Sequence, residues 1–273
     1  MPHTINEIEF TIFDTETTGL DPQAQDRIVE IAAVRFRGQE RLARLHMLIN
    51  PGRPISEAAF NINRITDKML IDAPRADEVI PDFLRFIEGS CLCSYNAGFD
   101  IEFLNHELTI MGRGALSALN IVDILKMAKR LLPGLPSYAL IRVAEAVGVK
   151  RQQRHRAMAD VELTLEVFYR LKQMLLEKGV DDFNNFLSLF AIKSGLLETI
   201  VAQKLASIQE AIDLGAKLKI KYISGAGAQV SEREVLPQEI KEENNRSYLV
   251  GYCLLRNEKR TFRIDGILHL ELV

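Results

Sequence analysis

Apolar and polar positions alternate at the start of the chain: Ile8, Phe10 and Ile12 leave one face of an extended segment, and Asp14 and Glu16 continue that same face. The pattern predicts a strand over 8–17 whose end carries two carboxylates. Two more strands are predicted over 26–37 (DRIVEIAAVRFR) and 41–50 (RLARLHMLIN), separated by the turn-like Gly38-Gln39-Glu40. The first fifty residues therefore read as a three-stranded antiparallel meander.

Beyond it the period changes. A helix is predicted over 78–87, a short apolar strand over 91–95, a helix after Gly98, a crossover strand over 121–124, and helices over 126–131, 138–147 and 160–176. In the last, Val161, Thr164, Leu165, Phe168 and Leu171 form an apolar stripe at helical spacing. A meander followed by helix-strand alternation implies an α/β domain, a mixed sheet covered by helices. The expected organisation is such a domain over 1–178, a helical connector over 179–205 and a module over 206–273. After Leu218 the pattern becomes short strands with the turn-rich GAGA and EENNR between them, a small all-β unit. No internal repeat, low-complexity tract or helix-turn-helix pattern interrupts this order.

Composition narrows the class. The chain has 273 residues, 47% hydrophobic and 26% charged, the balance of a globular protein long enough for two domains. No stretch approaches the roughly 18 uncharged apolar residues that span a bilayer, and the N-terminus lacks a basic region followed by an apolar one. The expectation is a cytoplasmic protein with no membrane partner. Cys91, Cys93 and Cys253 suit neither a disulfide framework nor a zinc knuckle and read as small buried apolar residues. A formal net charge of −3 argues against a broadly basic nucleic-acid-binding domain, so any such contact needs locally concentrated charge.

Three short stretches carry the candidate chemistry. In FTIFDTETTG, Asp14 and Glu16 converge on one face before Gly19, where a sharp turn is permitted; two such carboxylates repel each other unless a cation lies between them, and hard oxygen ligands suit Mg²⁺ or Mn²⁺. In CSYNAGFD, Asp100 opens a helix after a short strand. In RHRAMADVELT, Asp160 falls in the first turn of a helix preceded by His155. Singly, each has a plain alternative: a strand end turned to water, or an acid favoured by a helix N-terminus.

Together, FDTETTG, NAGFD and H-x-x-x-x-D, in that order on an α/β domain, resemble the DEDDh (DnaQ-like) 3′-to-5′ exonucleases, over roughly residues 7–177. The resemblance implies a ribonuclease H-like fold. It implies that Asp14, Glu16, Asp100 and Asp160 hold two divalent ions, Mg²⁺ or Mn²⁺, with Asp14 bridging and Asp100 acting largely through water. His155 would be the general base of a two-metal hydrolysis. Thr17, Thr18 and Leu20 match positions that hold the terminal nucleotide through backbone groups and an apolar wedge, and Phe99 would meet its sugar or base. Core packing is the competing role for Leu20 and Phe99. Around NINRITD this chain has Asn63-Arg64 where many relatives have His-Gly, so one contact is altered and Arg64 is free to meet a phosphate. The basic run Lys150, Arg151, Arg154 and Arg156 suits either a strand's backbone or a solvated surface.

The tail from about Ala206 resembles a WYL domain, an SH3-like barrel, through Tyr222, Pro237, Tyr248-Leu249 and RTFRID; Ser247 stands where the namesake tryptophan belongs. By parity Phe262 and Ile264 face the core, while Arg263 shares the other face with Asp265. The resemblance makes Arg260 and Arg263 possible ligand contacts. The function expected is a 3′-to-5′ exonuclease acting on single-stranded or frayed DNA 3′ ends. An RNA or oligoribonucleotide exonuclease is the alternative, and a non-catalytic regulator a third reading. A role in proofreading would need a polymerase on another chain, and a repair or defence role other partners.

Overall fold

The computed structural model describes residues 4–116, 119–150, 155–225, 227–244 and 246–273. The meander forms as the alternation predicts: β1 (Glu9–Thr17) pairs antiparallel with β2 (Ile28–Arg37), and β2 with β3 (Glu40–Leu48). Two short helices then intervene, α1 (Glu57–Asn63) and α2 (Asp67–Leu70), before α3 (Ala76–Ile87). The sequence pattern did not reveal them because neither is long enough to show a helical period. Next come β4 (Cys91–Ser94), α4 (Ala97–Ile110), β5 (Ile121–Asp123), α5 (Ile124–Leu131), α6 (Leu140–Ala146) and α7 (Ala157–Glu177). Strands β1, β4 and β5 run parallel.

The sheet divides two apolar layers. Phe10 and Ile12 share one with α5, α6 and α7, whereas Phe13 belongs to the other with α3 and α4. Period-2 alternation thus decides which face each β1 side chain meets, and Asp14 and Glu16 lie on the α7 face. Phe10 is wholly buried and its ring lies 5.2 Å from Phe168, 5.7 Å from Phe186 and 5.8 Å from Phe36. That cluster fixes β1 against α7; truncating such a phenylalanine typically costs about 3–5 kcal/mol.

The expected connector does more than connect. It contains α8 (Phe183–Phe190), β6 (Ala191–Lys193) and the first half of α9 (Leu197–Leu214), which runs on into the expected β-module. The side chains of Phe183, Phe186, Leu187 and Phe190 complete the first core, and β6 adds a sixth strand, giving the order β3-β2-β1-β4-β5-β6. A three-residue strand between two helical patterns leaves no period to read.

The C-terminal strands β7 (Leu218–Ile223), β8 (Val230–Glu243), β9 (Arg246–Cys253), β10 (Glu258–Arg263) and β11 (Ile267–Leu272) form one antiparallel sheet, ordered β10-β9-β8-β7-β11. It is not the closed barrel expected. Helix α9 lays Ile208 and Ala211 against Leu218, Ile220, Val235 and Leu249, so the sheet buries its apolar face against a helix. Phe262 and Ile264 are buried as parity predicts. The two units share apolar contacts, since Ile223, Ala228 and Leu268 belong to the first core. All three cysteines are buried and free. Among the described residues no helix is long and apolar enough to cross a membrane.

Candidate active site

The end of β1 projects Asp14 and Glu16 toward the N-terminus of α7, which delivers Asp160 from its first turn. One carboxylate oxygen from each of the three lies within 4.8 Å of the others. The chemistry of the donors tests their fit to a metal. Three mostly buried carboxylates at this spacing suit a hard divalent cation with oxygen ligands.

Asp100 approaches over the end of β1 from α4, on the other face of the sheet. Its Oδ1 accepts from the Thr15 backbone N at 3.0 Å and from Thr15 Oγ1 at 2.7 Å, while Ser94 Oγ donates to Oδ2. The side chain is thus clamped by β1 and β4 beside the three-carboxylate group rather than within it.

Electrostatics reflect this crowding. Burial, then the charges of Asp100, Glu16 and Asp160, push the Asp14 carboxyl well above its ordinary range. Burial and the charges of Asp160 and Glu30 carry Glu16 up to about 8. Burial raises Asp100 to about 6, against the pull of its hydrogen bonds from Ser94 and Thr15. Crowding and burial thus favour the protonated forms of these carboxyls, a preference that a bound cation would oppose.

Glu30 is a functional candidate that the sequence reading did not single out. It is paired across the sheet with Glu16 and fully buried. Its Oε1 accepts from Arg156 Nη2 at 2.8 Å and lies 2.7 Å from His46 Nε2, and its Oε2 accepts from the Ala157 backbone N at 3.0 Å. Burial alone would raise its pKa, but these bonds outweigh burial and hold the carboxyl below its ordinary value. This carboxylate caps α7, which starts at Ala157 rather than at the expected Asp160, and so places both Asp160 and the residue before Arg156. The signal was a lone acid inside the apolar run IVEIAAV.

His155 is exposed and adopts a left-handed backbone conformation (φ 49°) immediately before α7. That conformation is uncommon outside glycine and is often found at functional positions. Arg156 is committed to Glu30, Lys150 is exposed, and Arg151 and Arg154 lie outside the described residues.

The expected substrate contacts fall into two groups. Thr18 is fully buried: its N donates to Arg27 O at 2.9 Å and its Oγ1 to Asp26 Oδ1 at 2.9 Å. Thr17 Oγ1 donates to Gly19 O, and Thr17 O accepts from Asn63 Nδ2 at 3.3 Å. Both threonines therefore hold the turn that follows β1. Gly19 leaves room there for Asp26, whose carboxylate would lie 2.1 Å from a Cβ at this position and would have to move. Leu20, by contrast, is 78% exposed, an apolar side chain left in water. Phe99 is half-buried with its ring 4.9 Å from Phe103. Arg64 caps α1 and sits over the Phe60 ring. In the C-terminal sheet, exposed Arg260 pairs with Glu258, whereas half-buried Arg263 pairs with Asp265.

Comparison with known proteins adds to this geometry. The model of the exonuclease family matches residues 11–168 and that of the WYL domain residues 203–272. The DNA polymerase III subunit epsilon of Treponema pallidum is 44% identical over 163 residues, covering 59% of this chain and 75% of that protein. The PolC-type DNA polymerase III of Thermotoga maritima is 32% identical over 275 residues, 98% of this chain but only 19% of that protein. The chain thus spans about three quarters of one relative and about a fifth of the other. Among solved structures, exonuclease X in complex with 5′ overhanging duplex DNA is 30% identical with a TM-score of 0.50, covering 62% of this chain and 93% of that one.

Proposed function

The chain belongs to the exonuclease family and is a 3′-to-5′ exonuclease by class; from that premise we propose that it removes nucleotides from the 3′ ends of single-stranded or frayed DNA by two-metal hydrolysis. The observation that carries this reading is the convergence of Asp14, Glu16 and Asp160 within 4.8 Å at the end of a packed strand. In the proposal these three hold two divalent ions, Mg²⁺ or Mn²⁺, and Asp100, clamped by Ser94 and Thr15, supports them from the side. Bound there, such ions lower the pKa of a water and stabilise the attacking and leaving oxygens of the phosphodiester.

The chain's own groups then have separate tasks. His155, exposed just before α7, is the general base that takes the proton of the attacking water. Glu30 holds the helix that presents Asp160. Leu20 wedges against the terminal base, for which its exposure is the supporting observation. Phe99, half-buried on Phe103, keeps an edge for the sugar. The WYL module aids nucleic-acid capture or regulation. The kinship with polymerase III subunits makes a polymerase the partner class to test first.

The test is a time course on 5′-labelled and 3′-labelled single-stranded DNA and RNA, with Mg²⁺, Mn²⁺ or EDTA. A 5′-labelled ladder that shortens stepwise only with metal is expected, and is lost in Asp14→Ala. The DNA-to-RNA ratio identifies the substrate. Intact oligonucleotides that nonetheless bind well would overturn the proposal.

A further inference from the structure

Between the two units, α5 faces one end of the C-terminal sheet, where β9 begins and β10 finishes, across a cavity of about 440 Å³. Its charged lining is five cations, Lys126, Lys129, Arg130, Arg246 and Arg263, against one carboxylate, Asp265. That carboxylate is already engaged, since Arg263 Nε donates to Asp265 Oδ1 at 3.0 Å. Arg130 is 8% exposed; its Nη2 donates to Ile223 O at 3.1 Å, and its Nε has no hydrogen-bond partner among the described residues. A buried guanidinium without a carboxylate or a full set of acceptors is costly in isolation, and a bound anion removes that cost.

The remaining chemistry points the same way. Burial, together with the like charges of Arg246 and Arg263, outweighs Asp123 and Asp265 and holds the Lys126 ammonium below its ordinary range. Two contacts hold the lining in place: Lys126 Nζ donates to Ala191 O at 3.1 Å, and Arg130 Nη2 donates to Ile223 O. Arginine forks combined with lysine point charges match phosphate oxygens better than a lone carboxylate.

We propose that this cavity is a phosphate-binding site built jointly by α5 of the exonuclease unit and the C-terminal sheet, separate from the catalytic carboxylates. Its occupant is either a phosphate of the substrate strand or the phosphate of a free nucleotide. The choice of a nucleic-acid source rests on the exonuclease reading; the site itself does not.

The test compares wild type with Lys129→Gln/Arg246→Gln, two exposed positions outside the catalytic group, in EDTA. Fluorescence anisotropy follows a labelled twelve-residue oligothymidylate across a salt series, and calorimetry follows inorganic phosphate and thymidine monophosphate. If the strand is the source, the double variant binds the oligonucleotide about tenfold more weakly, and its salt slope falls by about 1 to 1.5. If a free nucleotide is the source, the variant loses phosphate and monophosphate binding while oligonucleotide affinity is unchanged. Wild-type affinity for all three, with an unchanged salt slope, overturns the proposal. Metal-dependent turnover of a chromogenic nucleoside phosphodiester stays at the wild-type rate; its loss would assign these charges to catalysis and also overturn it. Because binding is read without metal, an inactive enzyme leaves the outcome intact.

Discussion

Replacing Glu16 by glutamine should stabilise the metal-free protein while abolishing its activity, and the size of the gain should depend on pH. The Glu16 carboxyl moves from an ordinary 4.5 to about 8 on folding, through burial and the charges of Asp160 and Glu30. A carboxyl raised in this way supports the folded state fully below its unfolded pKa and loses that contribution as pH rises through its folded pKa. Here the loss runs between about pH 4.5 and pH 8 at about 1.4 kcal/mol per pH unit. Relative to a glutamine, which does not titrate, Glu16 therefore costs under about 1 kcal/mol at pH 5 and up to about 4 kcal/mol at pH 8. At roughly 2–4 °C per kcal/mol for a unit of this size, Glu16→Gln should melt about 8–16 °C above wild type at pH 8 and within about 3 °C of it at pH 5. The assay is a thermal melt in EDTA at pH 5, 6.5 and 8, repeated with Mg²⁺, which should raise the wild type more than the variant. A variant that melts at or below wild type at pH 8, or one offset equally at pH 5 and pH 8, would refute the argument that carboxylate repulsion dominates this site.

Other perturbations separate the remaining roles. Glu30→Gln leaves Arg156 without its buried partner and should lower stability by about 3 kcal/mol, with kcat falling more than oligonucleotide affinity, as seen by melts beside single-turnover kinetics. Leu20→Ala should change the melting temperature little, because the side chain is 78% exposed, yet raise KM on oligonucleotides; a loss of stability typical of a core leucine would assign it to packing instead. Gly19→Ala should displace Asp26 and break its bond with Thr18, costing about 1–3 kcal/mol, readable by chemical denaturation.

Much of the fold was legible because local pattern and tertiary demand agree. Alternation in β1 fixes which side chains face α7, and the stripe of Val161, Leu165 and Phe168 fixes which face of α7 answers it. The order of the three carboxylate motifs was equally readable, since each sits where a strand ends or a helix begins. What remained hidden depends on partners distant in sequence. The capping of α7 by Glu30 joins positions 126 apart from Arg156, so the helix starts earlier than its own stripe indicates. Strand β6 is three residues long and exists only because the edge of β5 lies beside it. Helix α9 packs on the apolar face of the open C-terminal sheet, which no strand pattern reveals.

The sequence by itself determined the meander, the alternation of helices and strands, and the positions of Asp14, Glu16, Asp100 and Asp160, because spacing of 2 and 3.6 is a property of the local backbone. Only the tertiary structure decided which of these acids converge, how burial raises their affinity for protons, and that Glu30 anchors the helix behind them. It alone gathered Lys126, Lys129 and Arg130 opposite Arg246 and Arg263. Charge and burial at a point in space are sums over residues far apart in the chain, and no local pattern contains that sum.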